Sequence, residues 1–308
     1  MRRALIPLLL LLMTALTLAV SGAAAEELTF TDALGREVTL AVPVRRAVAF
    51  EGSLAEAYLT CGGTLVGATE DAVSERGLTL GGDTAVIGTV KQPNLELTVS
   101  LEPELILLSA DSAAHLGLLD ALSALGVPCA YFSFDTWQEY MDMAAVLCSL
   151  TGHEELLGAQ RGQVQRPIEA ILARVQEDAR YGQCTALLLR AYSTGVKAKG
   201  SDSLAGAMLA EMGLVNIADR DGALLESLTL EQILMDDPDW IFITTMGESR
   251  ERAMDALAEA LTDNPAWGAL TAVREGRVVE LDKSLFHYKP NARWAQAYEL
   301  LEALLYAP

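Results

Sequence analysis

The densest chemistry in the chain lies in one stretch, "LFHYKPNARW" at 285–294. His287 and Tyr288 bring an imidazole and a phenol, either of which could ligate iron if the bound species were haem or bare iron. Lys289 and Arg293 bring charges that pair with carboxylates or an anionic chelate, the arginine through a fixed fork of donors. Trp294 offers an apolar wall. Packing is the competing explanation. Trp294 and Tyr298 stand at i, i+4 and are expected to point inward at the start of the last helix, and Lys289 would then be merely solvated. Arg190 and Tyr192 follow directly on the apolar run "TALLL", so both should emerge at the end of a strand. There Arg190 would recognise an anion or tie down a neighbouring loop through its carbonyls.

Two glutamates raise a different question. "NLELTVSLEPELILL" (94–108) and "TLEQILMDDPDWIFI" (229–243) share one grammar, with Glu96 as far from Pro103 as Glu231 is from Pro238. In each copy Asn94 or Thr229 can cap a helix, an apolar-patterned turn or two follows, and an acid-Pro-acid triplet ends it before a buried strand. Glu96 and Glu231 then occupy equivalent places in a first helical turn. A favourable interaction with the helix dipole, about 0.3–1 kcal/mol, would explain a glutamate there without any function.

The elements that must position these groups are short apolar runs alternating with helical patterns. "RAVAF" (46–50), "TLVGA" (64–68), "AVIGT" (85–89), "ELILL" (104–108) and "CAYF" (129–132) read as strands, as do "TALLLR" (185–190), "DWIFIT" (239–244) and "RVVEL" (277–281). Such alternation predicts βα units and largely parallel sheets, hence an α/β fold of two Rossmann-like lobes. Between them, Leu157, Val164, Ile168, Ile171, Leu172 and Val175 fall at helical spacing and predict a stiff connector. Gly162 and Pro167 interrupt it, because an interior proline costs about 3 kcal/mol or kinks the helix. A kinked long helix and two consecutive helices both fit. The organisation expected is a signal segment at 1–25, an N-terminal lobe at 26–152, a connecting helix at 153–181 and a C-terminal lobe at 182–308.

Open α/β sheets bind ligands at the carboxyl ends of their strands. The loops expected there bring Phe50 and Glu51 ("FEGS"), Lys91 ("GTVKQPN") and Met246 ("TTMGES") to the same cleft as Arg190, Tyr192 and the 285–294 stretch. His115, after the "SADS" loop, could also face the cleft.

Composition narrows the function classes. A formal charge of −20 repels phosphate backbones and argues against a nucleic-acid partner. Arg2 and Arg3, an apolar run from Leu5 to Val20 and "SGAAAEE" have the order of a secretory signal with cleavage after Ala25, and that site has no cysteine for a lipid anchor. The protein is therefore expected to be exported, periplasmic or extracellular. Four widely spaced cysteines, Cys61, Cys129, Cys148 and Cys184, follow no metal-ligand or C-x-x-C spacing. Cys129 and Cys148 are nearest in sequence, and pairing and buried free thiols both remain open. The chain has no G-x-S-x-G elbow, H-E-x-x-H, P-loop or strand-following G-x-G-x-x-G, so no enzyme is expected.

Taken in order, "TDALGREVTL", "AYLTCGGTLVGAT", "IGTVKQPNLELTVSLEPELILL", "LDALSALGVPCAYF", "LAGAMLAEMGLVNIA", "LTLEQILMDDPDWIFI" and "NPAWGALTAVREGRVVELD" resemble the substrate-binding proteins of ABC importers for iron-siderophore, haem and cobalamin. The resemblance covers nearly all of the mature chain. It implies a ligand cleft between two lobes joined by a rigid helix, a monomer that serves an ABC permease dimer, and no cofactor of its own. The ligand would be an iron chelate or a metallo-tetrapyrrole. In that family an exposed glutamate on each lobe docks into arginine pockets of the permease, and the matching positions are Glu96 and Glu231. A ferric siderophore ranks first, on Arg190, Lys289 and Arg293, and haem second, on His287 and Tyr288. Cobalamin follows, with a redox or metal-cluster protein of related bilobal fold as the rival from another class.

Overall fold

The computed structural model describes residues 26–220, 223–247 and 249–306. The expected signal segment lies outside the described residues. Among the described residues no helix is long and apolar enough to cross a membrane.

Two parallel-based sheets carry the fold. A hairpin of β1 (Glu26–Thr31) and β2 (Glu37–Val42) opens the chain. The first main sheet then forms from β3 (Ala47–Ala49), β4 (Leu65–Ala68), β5 (Ala85–Val86), β8 (Leu105–Ser109) and β9 (Cys129–Phe132), in the order β5-β4-β3-β8-β9. A small hairpin, β6 (Gly88–Thr89) with β7 (Gln92–Pro93), interrupts the run after β5. The second main sheet contains β10 (Thr185–Tyr192), β11 (Gly195–Lys199), β12 (Val215–Asn216), β13 (Trp240–Thr245) and β14 (Val278–Glu280). Its order is β11-β10-β13-β14, with β12 also pairing β10 and only β11 antiparallel. All eight expected apolar runs fall on these strands. The run at 85–89 is split because Gly88, at φ +101°, turns the chain, and a Cβ there would meet the Gln92 carbonyl oxygen at 2.8 Å.

The connector runs as Leu156–Gln160, a π turn at Arg161–Gln165 and Arg166–Gln176, with helical backbone at every junction. Of the two expected forms, the chain takes the continuous helix. Pro167 lacks the N–H that an α-helix would need, and its ring would press on the carbonyl one turn earlier; the wider π turn sits immediately before it. Val164, Ile168, Ile171 and Val175 are buried along one stripe. The last helix, Trp294–Tyr306, packs on this connector, and Arg174 donates to both oxygens of Glu302 at 2.9 and 2.8 Å.

The repeated phrase folds the same way twice. Asn94 Oδ1 accepts from the Leu97 N–H at 3.0 Å, and Thr229 Oγ1 from the Gln232 N–H at 3.3 Å. Each acid before the proline, Glu102 and Asp237, has a left-handed backbone, φ 47° and 38°. Each acid after it clamps the start of the adjacent strand. Glu104 accepts from the N–H groups of Arg45 and Arg46 at 2.6 and 3.2 Å, and Asp239 from that of Thr185 at 2.8 Å.

Candidate functional site

The carboxyl ends of β10, β13 and β14 meet the loop after the short helix Lys283–Phe286, and here the second lobe gathers its cations. Arg190 lies in β10, level with Thr244 of β13, and its buried Nε has no partner among the described residues. Lys283 places its ammonium 4.7 Å from the centre of the Tyr288 ring and donates to the Gly247 carbonyl at 2.8 Å. His287 and Tyr288 stack obliquely, with ring centres 5.4 Å apart. Burial, then the charges of Arg190 and Lys283, press the His287 imidazole down to about 4, so it is neutral at physiological pH. Its Nδ1 is buried and without a partner among the described residues. Neither Arg190 nor Lys283 has a carboxylate within 4 Å among those residues. The arrangement can accept an anion, because two cations and a neutral imidazole converge with little of their charge spent.

In the first lobe, Glu51 Oε1 accepts from Ser53 Oγ at 2.5 Å and Asp71 accepts from the Gly52 N–H at 2.6 Å, and the charges of both act on Arg76. Arg76 bridges the lobes. It donates to Glu56 at 3.1 Å and to the Lys289 carbonyl at 2.6 Å, and its guanidinium lies 5.8 Å from the Tyr288 ring centre. Lys91 is exposed at the tip of the β6–β7 hairpin. Tyr192 is half-buried at the end of β10, and Met246 is 42% exposed just beyond β13. Arg293 is spent within its own lobe, on Ser284 at 3.3 and 3.4 Å.

Three side chains expected to meet a ligand have protein partners instead. Phe50 is wholly buried in the first-lobe core, edge-on to His115 at 6.0 Å, because the strand pleat turns it inward as β3 ends. Lys289 spends all three donors on the first lobe, on Asp135 at 2.6 Å, Asp111 at 3.2 Å and the Phe134 carbonyl at 2.7 Å. It is an inter-lobe tie. His115 is buried, accepts from the Ser109 N–H at 3.0 Å and lies 3.0 Å from the Val90 carbonyl through its other nitrogen. Trp294 and Tyr298 pack inward as expected. Lys283 and Arg76 escaped the sequence reading. Lys283 could have been found from its i, i+4 spacing to His287; Arg76 carries no local signal, because its partners are distant in the chain.

Glu96 and Glu231 are both exposed, each in the first turn of its helix.

This two-lobed α/β arrangement with a stiff helix between its sheets defines a class of binding proteins. Residues 64–285 match the family model described as periplasmic binding protein. The chain belongs to that family, whose members work as substrate-binding components of ABC transporters, among them those for iron-siderophores, haem and cobalamin. It is 27% identical over 158 residues to the Fe(3+) dicitrate-binding periplasmic protein FecB of Escherichia coli, 51% of this chain and 50% of that protein, so the match spans about half of that relative's length. It is 26% identical over 217 residues to the Fe(3+)-citrate-binding protein YfmC of Bacillus subtilis, 69% of this chain and 67% of that one. The structure of Staphylococcus aureus SirA complexed with staphyloferrin B superposes with a TM-score of 0.69 at 18% identity, covering 90% of this chain and 98% of that one.

Proposed function

We propose that the protein is exported, captures an anionic ferric chelate bearing carboxylates, and presents it to an ABC permease. The observation that carries this reading is the pairing of Arg190 and Lys283 around His287 and Tyr288 without a carboxylate partner among the described residues, in a chain of net charge −20. So acidic a protein collects unspent cations in one cleft only against electrostatic self-interest, and a multiply charged anion would satisfy them. The names of FecB and YfmC, which specify ferric citrate, agree with that ligand class. Tyr192, Met246, Glu51 and Lys91 complete the rim in this reading, and Glu96 and Glu231 engage two similar basic sockets on the permease. Haem is the second reading, because a neutral His287 with an unpartnered Nδ1 and the Tyr288 phenol are both candidate iron ligands.

Thermal-shift and absorption titrations with ferric citrate, haemin and cyanocobalamin test it. Ferric citrate should raise the melting temperature saturably, and Arg190→Ala should weaken its binding on the order of tenfold or more, the loss of a charged hydrogen bond. A haemin band abolished by His287→Ala, with no response to ferric citrate, would replace the carboxylate reading by the haem one.

A further inference from the structure

Away from the cleft, the first lobe buries two cysteines side by side. Cys61 caps the end of helix Gly52–Thr60, and Cys148 lies in helix Trp137–Thr151. Both are buried, and all four cysteines of the chain are free thiols in this structure. The Thr151 hydroxyl holds the pair together, lying 2.5 Å from the Cys61 carbonyl oxygen and 3.0 Å from that of Cys148. Cys61 Sγ lies 3.7 Å from the carbonyl oxygen of Ala144, one helical turn before Cys148 on the same face. The two thiols therefore meet between the helices, and each acts on the ionisation of the other. Cys129 is elsewhere, beside the Arg36 guanidinium at 3.9 Å, so the pair nearest in sequence is not the pair nearest in space.

We propose that Cys61 and Cys148 form a disulfide when the chain folds in an oxidising compartment. The inference rests on the reading that the protein is exported, and not on the identity of its ligand. The oxidant is a disulfide donor, either a thiol–disulfide exchange protein or oxidised glutathione. One cysteine thiolate attacks the donor disulfide and releases one donor thiol. The second cysteine, deprotonated, then attacks the mixed disulfide and expels the other donor thiol. The two cysteines are oxidised, the donor is reduced by two electrons, and the two protons end on the released thiols. Burial disfavours both thiolates in the finished fold, so the exchange belongs to folding, before the two helices close. Once made, the bond is sealed by the same burial and joins two neighbouring helices that pack on one face of the first sheet.

The test is to unfold and reduce the mature protein, refold it in a glutathione redox buffer, block free thiols, and map peptides by mass spectrometry without reduction. A Cys61–Cys148 linked peptide, two hydrogens lighter than its parts, is expected, with Cys129 and Cys184 alkylated. Protein folded in the reduced state and then moved to the same buffer should stay unlinked. Protein recovered from the exporting host with thiols trapped at lysis should carry the same link. Cys61 and Cys148 both recovered as alkylated thiols from refolded or host-derived protein, or linked to other cysteines, would overturn the proposal. The mapping uses the unsubstituted chain, so it does not depend on a variant that folds.

Discussion

The His287 imidazole is held neutral by burial first and then by Arg190 and Lys283. Its folded-state value of about 4 lies below the ordinary 6.5. Between those limits the unfolded chain takes up a proton that the folded protein refuses, so the contribution is full above about pH 6.5 and is lost as pH falls towards 4. The loss amounts to about 3 kcal/mol at most. Urea unfolding at pH 7 and pH 4.5 should show wild type losing more stability than His287→Gln; equal losses would place the acid sensitivity elsewhere. At this scale the inward packing of Trp294 and Tyr298 was legible in the sequence. Phe50 and His115 were expected at the cleft and are buried, and the particular carboxylates that hold Lys289 were not foreseen, because residue type does not say which way a pleat turns or which acids stand across a gap. Asp111 and Asp135 lie far from Lys289 in the chain, and only the fold brings them within reach of its ammonium.

The repeated helix-to-strand unit shows how much of a motif can be structural. Its cap, its left-handed acid, its proline and its clamping acid all have local partners or backbone roles in both copies. Glu96 and Glu231 are exposed in both copies, with no side-chain hydrogen bond or ion pair among the described residues, and the proposed permease contact is assigned to them. Glu96→Ala and Glu231→Ala are expected to impair uptake in cells while ligand affinity of the purified protein stays unchanged. Reduced affinity in either variant would put these residues in the wrong place. Strands and caps were legible because apolar runs and Asn or Thr before them follow from local chemistry. The hairpins β1–β2 and β10–β11 were not read, although "ELTFT", "EVTLAV" and "GVKAK" alternate and Gly35 and Gly195 mark their turns.

Several polar ties cross between the lobes in addition to the connector. Lys289 grips Asp111 and Asp135, Arg76 reaches the Lys289 carbonyl, and Asn291 donates to Ser53 O and Glu56 at 2.9 and 2.8 Å. At another point Glu211 accepts from Trp137 Nε1 and Gln138 Nε2, both at 3.2 Å, and from Tyr298. With the lobes pinned at both places, ligand capture should involve a small twist and a largely preformed cleft. Small-angle scattering should therefore change little when ligand binds wild type, and more for Lys289→Ala, which releases the tie nearest the cleft. A large compaction in wild type would refute the pinned arrangement. Two lobes and a stiff connector were legible from alternation and periodicity, whereas the ties were not, since each joins residues distant in the chain.

The π turn before Pro167 has a consequence of phase. Such a turn takes one residue more than an α turn to go once round the axis. The surplus residue is therefore absorbed within the 161–165 segment, and Ile168, Ile171 and Val175 beyond it stay on the buried stripe with Val164. Regular α winding through the same number of residues would carry everything beyond them further round the axis, turning those three side chains away from the core. The wide turn acts as a vernier that sets the rotational alignment between the two halves of the molecule.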